Sequence, residues 1–335
     1  MSKTSVSRFL GEDIGALSEH IQQQIATTIA RLGYQPNQMA RGLKRGRTRL
    51  IGMMVADLLN PYSVAVLEGA EAACQQHGYT LMLCNTGNDE QRERQSLAAL
   101  RSYSVEGLII HTQGRNLDTL LELGRSGLPM VLVDRQIAGL DLDLVGLDNA
   151  SAAMQATRHL IEQGFADLAF VTAPLDGVST RQRRAEGFHQ AISGHSHCRG
   201  TTLEVCPGDP ASLEENLTKF LAGNKGRRCA LLAANGVVTL QIALMLKQMG
   251  LHFPGDVGLL GFDELAWSPL VGPGISTLAQ PTYEIGFSAM QCLLARLAGE
   301  KFAPKEVLLQ GRLIVRGSST ALPSGATTVT ALCTD

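Results

Sequence analysis

No stretch of this 335-residue chain is apolar for long enough to cross a bilayer. The longest apolar runs, residues 50–55 and 229–234, fall far short of the roughly 20 residues a span needs. The first residues also lack a basic head, an apolar stretch and a small-residue cleavage site, so no secretory leader is read and the protein is expected in the cytoplasm. Cysteine pairing is missing too. The seven cysteines (Cys74, Cys84, Cys198, Cys206, Cys229, Cys292 and Cys333) are odd in number, scattered and never spaced C-x-x-C, which argues against a disulfide framework and a zinc site. Signatures of catalysis are absent: there is no G-x-x-x-x-G-K-[ST], no strand-linked G-x-G-x-x-G, no G-x-S-x-G and no H-E-x-x-H, so neither an enzyme nor a cofactor is expected. The cluster His195–Ser196–His197–Cys198 lies in a predicted loop without two further ligands at suitable spacing, so no metal is expected.

One further absence is local. Between Arg31 and Arg49 there is no acidic residue. Residues 1–49 carry eight basic residues against three acidic ones, a local +5, while the remainder holds 21 basic and 28 acidic, or −7, giving the net −2. A polyanion is therefore attracted to the N-terminal end and mildly repelled by the rest.

What is present from Leu50 onward is alternation. Strands are predicted at 50–58, 80–86, 107–113, 129–135, 144–149, 168–174, 229–235, 256–263 and 275–281. Amphipathic helices fall between most of them, for example at 63–77, 150–163, 181–192 and 237–249, several closed by a glycine (Gly78, Gly164, Gly250). That order predicts parallel sheets with helices on both faces. About 270 residues exceed what one such core supports, so two lobes are expected. Polar residues recur where the strands end: Asp57, Asn60, Asn85, Asp134 and Arg135 in the first half, Thr172, Asn235 and Asp263 in the second. Singly each reads as a helix cap or turn former. Together they mark the carboxyl ends of strands, where doubly wound folds bind ligands, and two lobes facing each other would enclose a polar cleft.

The N-terminal segment differs in kind. Residues 2–10 form a short helical candidate with Val6, Phe9 and Leu10 on one side and Lys3, Thr4, Ser7 and Arg8 on the other. A second helix is predicted to start at Ser18 and end at Gly33, with Ile21, Ile25, Ile29 and Leu32 as its apolar stripe. Two such helices are too small to make a stable core alone.

The stretches SKTSVSRFLG, LGYQPNQMARGLKRGRTRLIG, NPYSVAVLEGAEAACQQHGY, PMVLVDR, HLIEQGF, RRAEGF and DVGLLGFDE, in that order, resemble the lactose-repressor (LacI/GalR) family of bacterial transcription regulators. The resemblance reaches to about Ser318. It implies an α/β fold: a two-lobed, periplasmic-binding-protein-like core of doubly wound parallel sheets, preceded by an all-α helix-turn-helix head truncated by its first helix. The implied division is a head at 1–34, a hinge at 35–48, a core at 49–319 and a flexible tail at 320–335. Lobe 1 takes about 49–148 and 280–305, and lobe 2 about 149–279 and 306–319. The function implied is a sequence-specific repressor, acting as a homodimer or tetramer on operator DNA and controlled by a small sugar or sugar-acid effector.

Site residues carry over one at a time. Lys3, Thr4 and Arg8 are implied to face the major groove, Ser2 and Ser7 to contact phosphates, and Asn37, Arg41 and Leu43 to lie in a hinge whose leucine wedges the minor groove. In the cleft, Arg184 matches the family's effector-binding arginine, suited to a carboxylate or vicinal hydroxyls. Tyr62, Thr180, Asn235 and Asp263 match neighbouring effector positions, with Asp134 and Arg135 as either effector contacts or an ion pair between the lobes. The chain departs from the family at Gly236, where an Asp is usual, and at Pro210, where an aromatic often stacks on the ligand. Trp267 either supplies that stacking face or packs in a loop. Its stretch, DELAWSPLVGPG, resembles regulators of gluconate and ketogluconate catabolism, which implies a sugar-acid effector.

In relatives a further helix precedes the recognition helix and packs across it. Either the reading frame begins about 15 residues upstream, or the chain lacks that helix. Without it, Val6, Phe9 and Leu10 lose a packing partner, at about 3–6 kcal/mol for two large side chains, and the head is expected to fold poorly and bind its operator weakly. Three rivals remain: a sensor blind to DNA, an exported solute-binding protein, which would need a leader, and an enzyme.

Overall fold

The structure is a computed structural model that describes residues 2–10, 14–34, 47–206, 208–224, 226–300 and 302–320. It divides into two units, Met1–Arg49 and Leu50–Asp335.

In the first unit, α1 (Lys3–Phe9) begins at Ser2, whose hydroxyl accepts the Ser5 N–H at 3.1 Å. A short 3-10 turn (Ile14–Ala16) leads to α2 (Glu19–Leu32), entered at Ser18 and ended by Gly33 in the left-handed conformation, φ 56°, as its sequence predicts. Ile25 and Leu17 are buried, whereas Val6, Phe9 and Leu10 are only half-buried.

The second unit contains both lobes. Lobe 1 is built from β1 (Leu50–Val55), α3 (Pro61–Gln76), β2 (Thr80–Asn85), α4 (Glu90–Ser102), β3 (Gly107–His111), α5 (Leu117–Arg125), β4 (Met130–Val133) and β5 (Asp143–Leu147). The chain then crosses into lobe 2, with α6 (Asn149–Glu162), β6 (Asp167–Thr172), α7 (Ser179–Ser193), β7 (Arg199–Glu204), α8 (Pro210–Gly223), β8 (Cys229–Ala233), α9 (Gly236–Gln248), β9 (Gly258–Phe262) and β10 (Ser276–Ala279). It returns to lobe 1 for α10 (Thr282–Leu297) and β11 (Glu306–Leu309), and ends in lobe 2 with β12 (Arg312–Ile314).

The two six-stranded sheets repeat one topology. Their orders are β11-β5-β4-β3-β1-β2 and β12-β10-β9-β8-β6-β7, parallel throughout except where β12 runs antiparallel to β10. The inner strands are buried on both faces, which is why their sequences are continuous apolar runs. Asn60, Asp89, Asp148, Asp209 and Asn235 cap the helices that leave the strands, each accepting a first-turn backbone N–H.

Three strands depart from the sequence reading. β7, β11 and β12 lie at sheet edges and carry mixed rather than continuous apolar faces, so their periodicity is weak. One boundary also moves. Residues 306–309, read as lobe 2, pair with β5 in lobe 1, and the last crossing comes after Leu309, because Glu306–Leu309 is in parallel register with Leu144–Leu147. Of the expected tail only Thr320 is described.

Candidate functional site

The strand ends of both lobes converge on one cavity of about 360 Å³, within the roughly 300–1,000 Å³ of small-molecule sites. From lobe 1 come Asp57, Asn60 and Ser63 at the turn from β1 into α3, Asn88 after β2, His111 and Gln113 at the end of β3, and Arg135 after β4. Lobe 2 supplies Ala173 after β6, Arg181 in α7, Val205 after β7, and Asn235, Val237, Val238 and Gln241 at the start of α9. Ligand sites at strand carboxyl ends are the rule for this architecture.

Beneath the cavity lies a buried charged layer. Arg184, on the inner face of α7, donates through Nε to Asn149 Oδ1 at 2.7 Å and through Nη1 to the Ala234 carbonyl, and its guanidinium lies 4.1 Å from the Phe262 ring centroid. Burial lowers its pKa, with Asp134, Asp263 and Tyr62 opposing. Asp134 Oδ2 stands 3.5 Å from His111 Nε2 and 3.4 Å from Arg135 Nε. Burial alone would raise the Asp134 carboxyl, but His111, Arg135 and Arg184 outweigh it and bring it down to about 2. Tyr62 packs edge-on against His111, with ring centroids 5.4 Å apart, and burial together with Asp134 pushes its phenol well above the ordinary value. It is therefore a hydroxyl donor at neutral pH.

Several buried polar atoms here have no hydrogen-bond partner in the structure: Tyr62 Oη, Ser63 Oγ, both ring nitrogens of His111, Nε and Nη1 of Arg135, and Gln280 Oε1. Each such group costs about 1–3 kcal/mol when left unmet, and native interiors hold few of them. Their clustering fits a ligand rich in hydroxyl and carboxylate oxygens. Among the described residues no group of three His, Cys, Asp or Glu side chains is placed to hold a metal ion, and no helix is long and apolar enough to cross a membrane.

The structure brings together Tyr62, Asp134, Arg135, Arg184 and Asp263, whose charges act on one another. Thr180 is buried in the first turn of α7. Asn235 lines the cavity but spends its Oδ1 capping α9 at Val238 N, 2.9 Å. Asp263 accepts from Gly236 N at 2.8 Å and from Gln280 Nε2 at 2.6 Å, so both of its oxygens are engaged within the protein. A Cβ at Gly236 would meet the end of the Leu265 side chain at 2.6 Å and Asp263 Oδ2 at 3.3 Å. Trp267 is not among the cavity-lining residues: its indole packs with Phe253 and Val271 against the apolar core beside α9, where a large side chain next to a 3-10 turn (Ser268–Leu270) finds apolar cover.

On α1, Thr4, Ser7 and Arg8 are exposed, while Ser2 serves as its helix cap. Lys3 lies in the same helix. Asn37, Arg41 and Leu43 lie outside the described residues.

The sequence reading missed His111, Ser63 and Arg181. His111 ends a predicted strand and could have been found by the same rule that selected Asp134. Ser63 and Arg181 lie in the first turns of α3 and α7, where the sequence pattern reads them as helix starts and nothing marks them as ligand contacts.

Residues 48–315 match the family described as periplasmic binding proteins and sugar binding domain of the LacI family. The chain is 50% identical over 319 residues to the HTH-type transcriptional regulator PtxS of Pseudomonas putida, covering 95% of this chain and 93% of that one. It is 37% identical over 320 residues to the HTH-type transcriptional regulator KdgR of Bacillus subtilis, covering 95% and 94%. Among solved structures, a LacI transcriptional regulator from Lactobacillus brevis superposes with a TM-score of 0.71 at 26% identity, covering 79% of this chain and all of that one. With a family match across both lobes and relatives that share nearly its whole length, the chain belongs to the LacI family of transcriptional regulators, and its two lobes form that family's sugar-binding domain.

Proposed function

We propose that this regulator binds a sugar acid of the gluconate or ketogluconate class between its lobes and releases or engages operator DNA in response. The observation that carries the effector class is a pair of arginines that line the cavity without a close carboxylate partner of their own. Arg135 and Arg181 line it without a two-bond grip on any carboxylate, whereas of the carboxylates there Asp57 accepts from Leu59 N and Asp263 from Gly236 N and Gln280 Nε2. A carboxylate on the ligand supplies the anion those two guanidiniums lack, and its hydroxyls meet the unpartnered Ser63 and His111 atoms of the lining.

The operator is read by Lys3, Thr4 and Arg8 of α1, with Ser2 and Ser7 near the phosphates and Asn37, Arg41 and Leu43 in the hinge. The exposure of Thr4, Ser7 and Arg8 supports that assignment. The protein acts as a homodimer, for which α9 offers an apolar stripe, Val237, Leu240 and Leu244, exposed at helical spacing. Effector binding rotates one lobe against the other and alters the spacing of the two hinges, so operator and effector affinities are linked.

The test is a titration of the chain onto a pseudo-palindromic site from its own promoter at fixed salt, with and without D-gluconate and 2-keto-D-gluconate. One of these acids is expected to change operator affinity by about 5–150-fold, and the operator to change the affinity for that acid by the same factor. A response to neutral sugars alone would remove the sugar-acid assignment. Binding of the acid without any operator binding would favour the DNA-blind sensor, a reading that the half-buried state of Val6, Phe9 and Leu10 supports.

A further inference from the structure

Two of the cavity's arginines face each other across the seam between the lobes. Arg135 follows β4 in lobe 1, and Arg181 stands in the first turn of α7 in lobe 2. Beside them the Gln136 N–H donates to Ser179 Oγ at 3.0 Å, so the lobes touch at this point.

Neither arginine is neutralised in the way others in the core are. Arg296 grips Asp143 with two hydrogen bonds of 2.8 and 2.9 Å, and Arg316 grips Glu264 with two. Arg135 approaches Asp134 only at 3.4 Å, and its buried Nε and Nη1 have no hydrogen-bond partner. Arg181 donates Nη1 to the Pro174 carbonyl at 2.8 Å, and among the described residues it forms no ion pair. Burial, followed by repulsion from Arg135 and Arg184, brings the Arg181 guanidinium down to about 10. Arg184 differs from both, being held by Asn149, Ala234 and Phe262 within the protein.

We propose that Arg135 and Arg181 form an anion clamp across the cleft, and that the ligand's carboxylate is the group that lets the lobes close. Two guanidiniums on opposite lobes repel one another in a cavity of low dielectric. A carboxylate between them adds two attractions that outweigh the one repulsion, and the planar forks of both arginines match its two oxygens. A neutral sugar satisfies the hydroxyl partners but leaves the repulsion in place. Discrimination by charge therefore belongs to closure and to this pair, while Arg184 orients. The clamp rests on the sugar-acid reading above and adds which residues enforce it and how.

The test compares D-gluconate with D-sorbitol, its uncharged counterpart, by calorimetry on the full chain and on Arg181→Gln, Arg135→Gln and Arg181→Lys, with small-angle scattering at saturating ligand to follow closure. Wild-type protein is expected to prefer gluconate and to become more compact with it. Either glutamine variant is expected to lose about tenfold or more in gluconate affinity, to bind sorbitol at least as well as before, and, freed of the repulsion, to become as compact with sorbitol as with gluconate, with Arg181→Lys recovering part of the preference. If both glutamine variants keep the wild-type preference, the clamp is overturned and the sugar-acid reading stands. Equal losses for both ligands also overturn it, since Arg181 would then act through packing. No preference in the wild type would overturn the sugar-acid reading and the clamp with it.

Discussion

Asp134 and Asp263 each stand one residue past equivalent strands, β4 and β9, and both hold a left-handed backbone, φ 67° and 72°. Aspartate tolerates that conformation better than most residues. The same position serves two purposes. Asp263 ties the start of α9 to Gln280 on the second crossing, whereas Asp134 faces His111 and Arg135. Because the Asp134 carboxyl is brought from 3.8 to about 2, its ionised form favours the fold. A pKa lower in the folded than in the unfolded chain contributes stability that is fully present above the unfolded value and is lost as pH falls through the folded one. The difference in urea-unfolding free energy between wild type and Asp134→Asn is thus expected to shrink as pH falls from about 4 to about 2, by on the order of 2 kcal/mol. Asparagine keeps the left-handed backbone available, so the comparison isolates the charge. A difference that does not change over that range would show the carboxylate is not held ionised.

At the scale of elements, each lobe depends on one close helix crossing. A Cβ on Gly69 of α3 would sit 2.0 Å from the Tyr283 carbonyl oxygen, and one on Gly286 of α10 would sit 1.9 Å from that of Val66. In lobe 2, Gly187 of α7 lies equally close to Ala150 of α6. These are backbone atoms, which cannot swing aside as a side chain would. Gly286→Ala is expected to lower core stability by about 1–3 kcal/mol, read as a drop in thermal midpoint, despite alanine's better helix propensity. An unchanged midpoint would mean that the helices slide apart without cost. The elements also show where sequence pattern ends. β3, β6 and β8 are legible because burial on both faces gives each an unbroken apolar centre, LII, LAFV and CALLA. β7, with its RGTTLE sequence, and the short β12 are not, since an edge strand needs a neighbour more than it needs a pattern.

At the scale of the molecule, the chain passes between lobes three times, near residues 148, 280 and 310, and cleft side chains are bonded directly to the first two crossings: Arg184 to Asn149, Asp263 to Gln280. The proposed homodimer is tested on α9. Leu240→Glu places a charge in the middle of the Val237, Leu240 and Leu244 stripe and is expected to yield a monomer by sedimentation while leaving gluconate binding within a few-fold of wild type. A variant that remains dimeric would move the interface elsewhere.

The two-lobed α/β architecture, the parallel inner strands, the helix caps at their ends and the family are all legible along the chain, because these are local patterns repeated many times. Asn235 and Asp263 could be named from their places at strand ends, and Arg184 through the resemblance alone. Their placement emerges in the folded molecule: Asn235 caps, Asp263 braces, Trp267 packs away, and His111, Ser63 and Arg181 enter the cleft. The reason is physical. A side chain's partners across the cleft lie more than a hundred residues distant in some pairs, so its role follows from how two lobes meet, and periodicity along one strand or helix carries no information about that meeting.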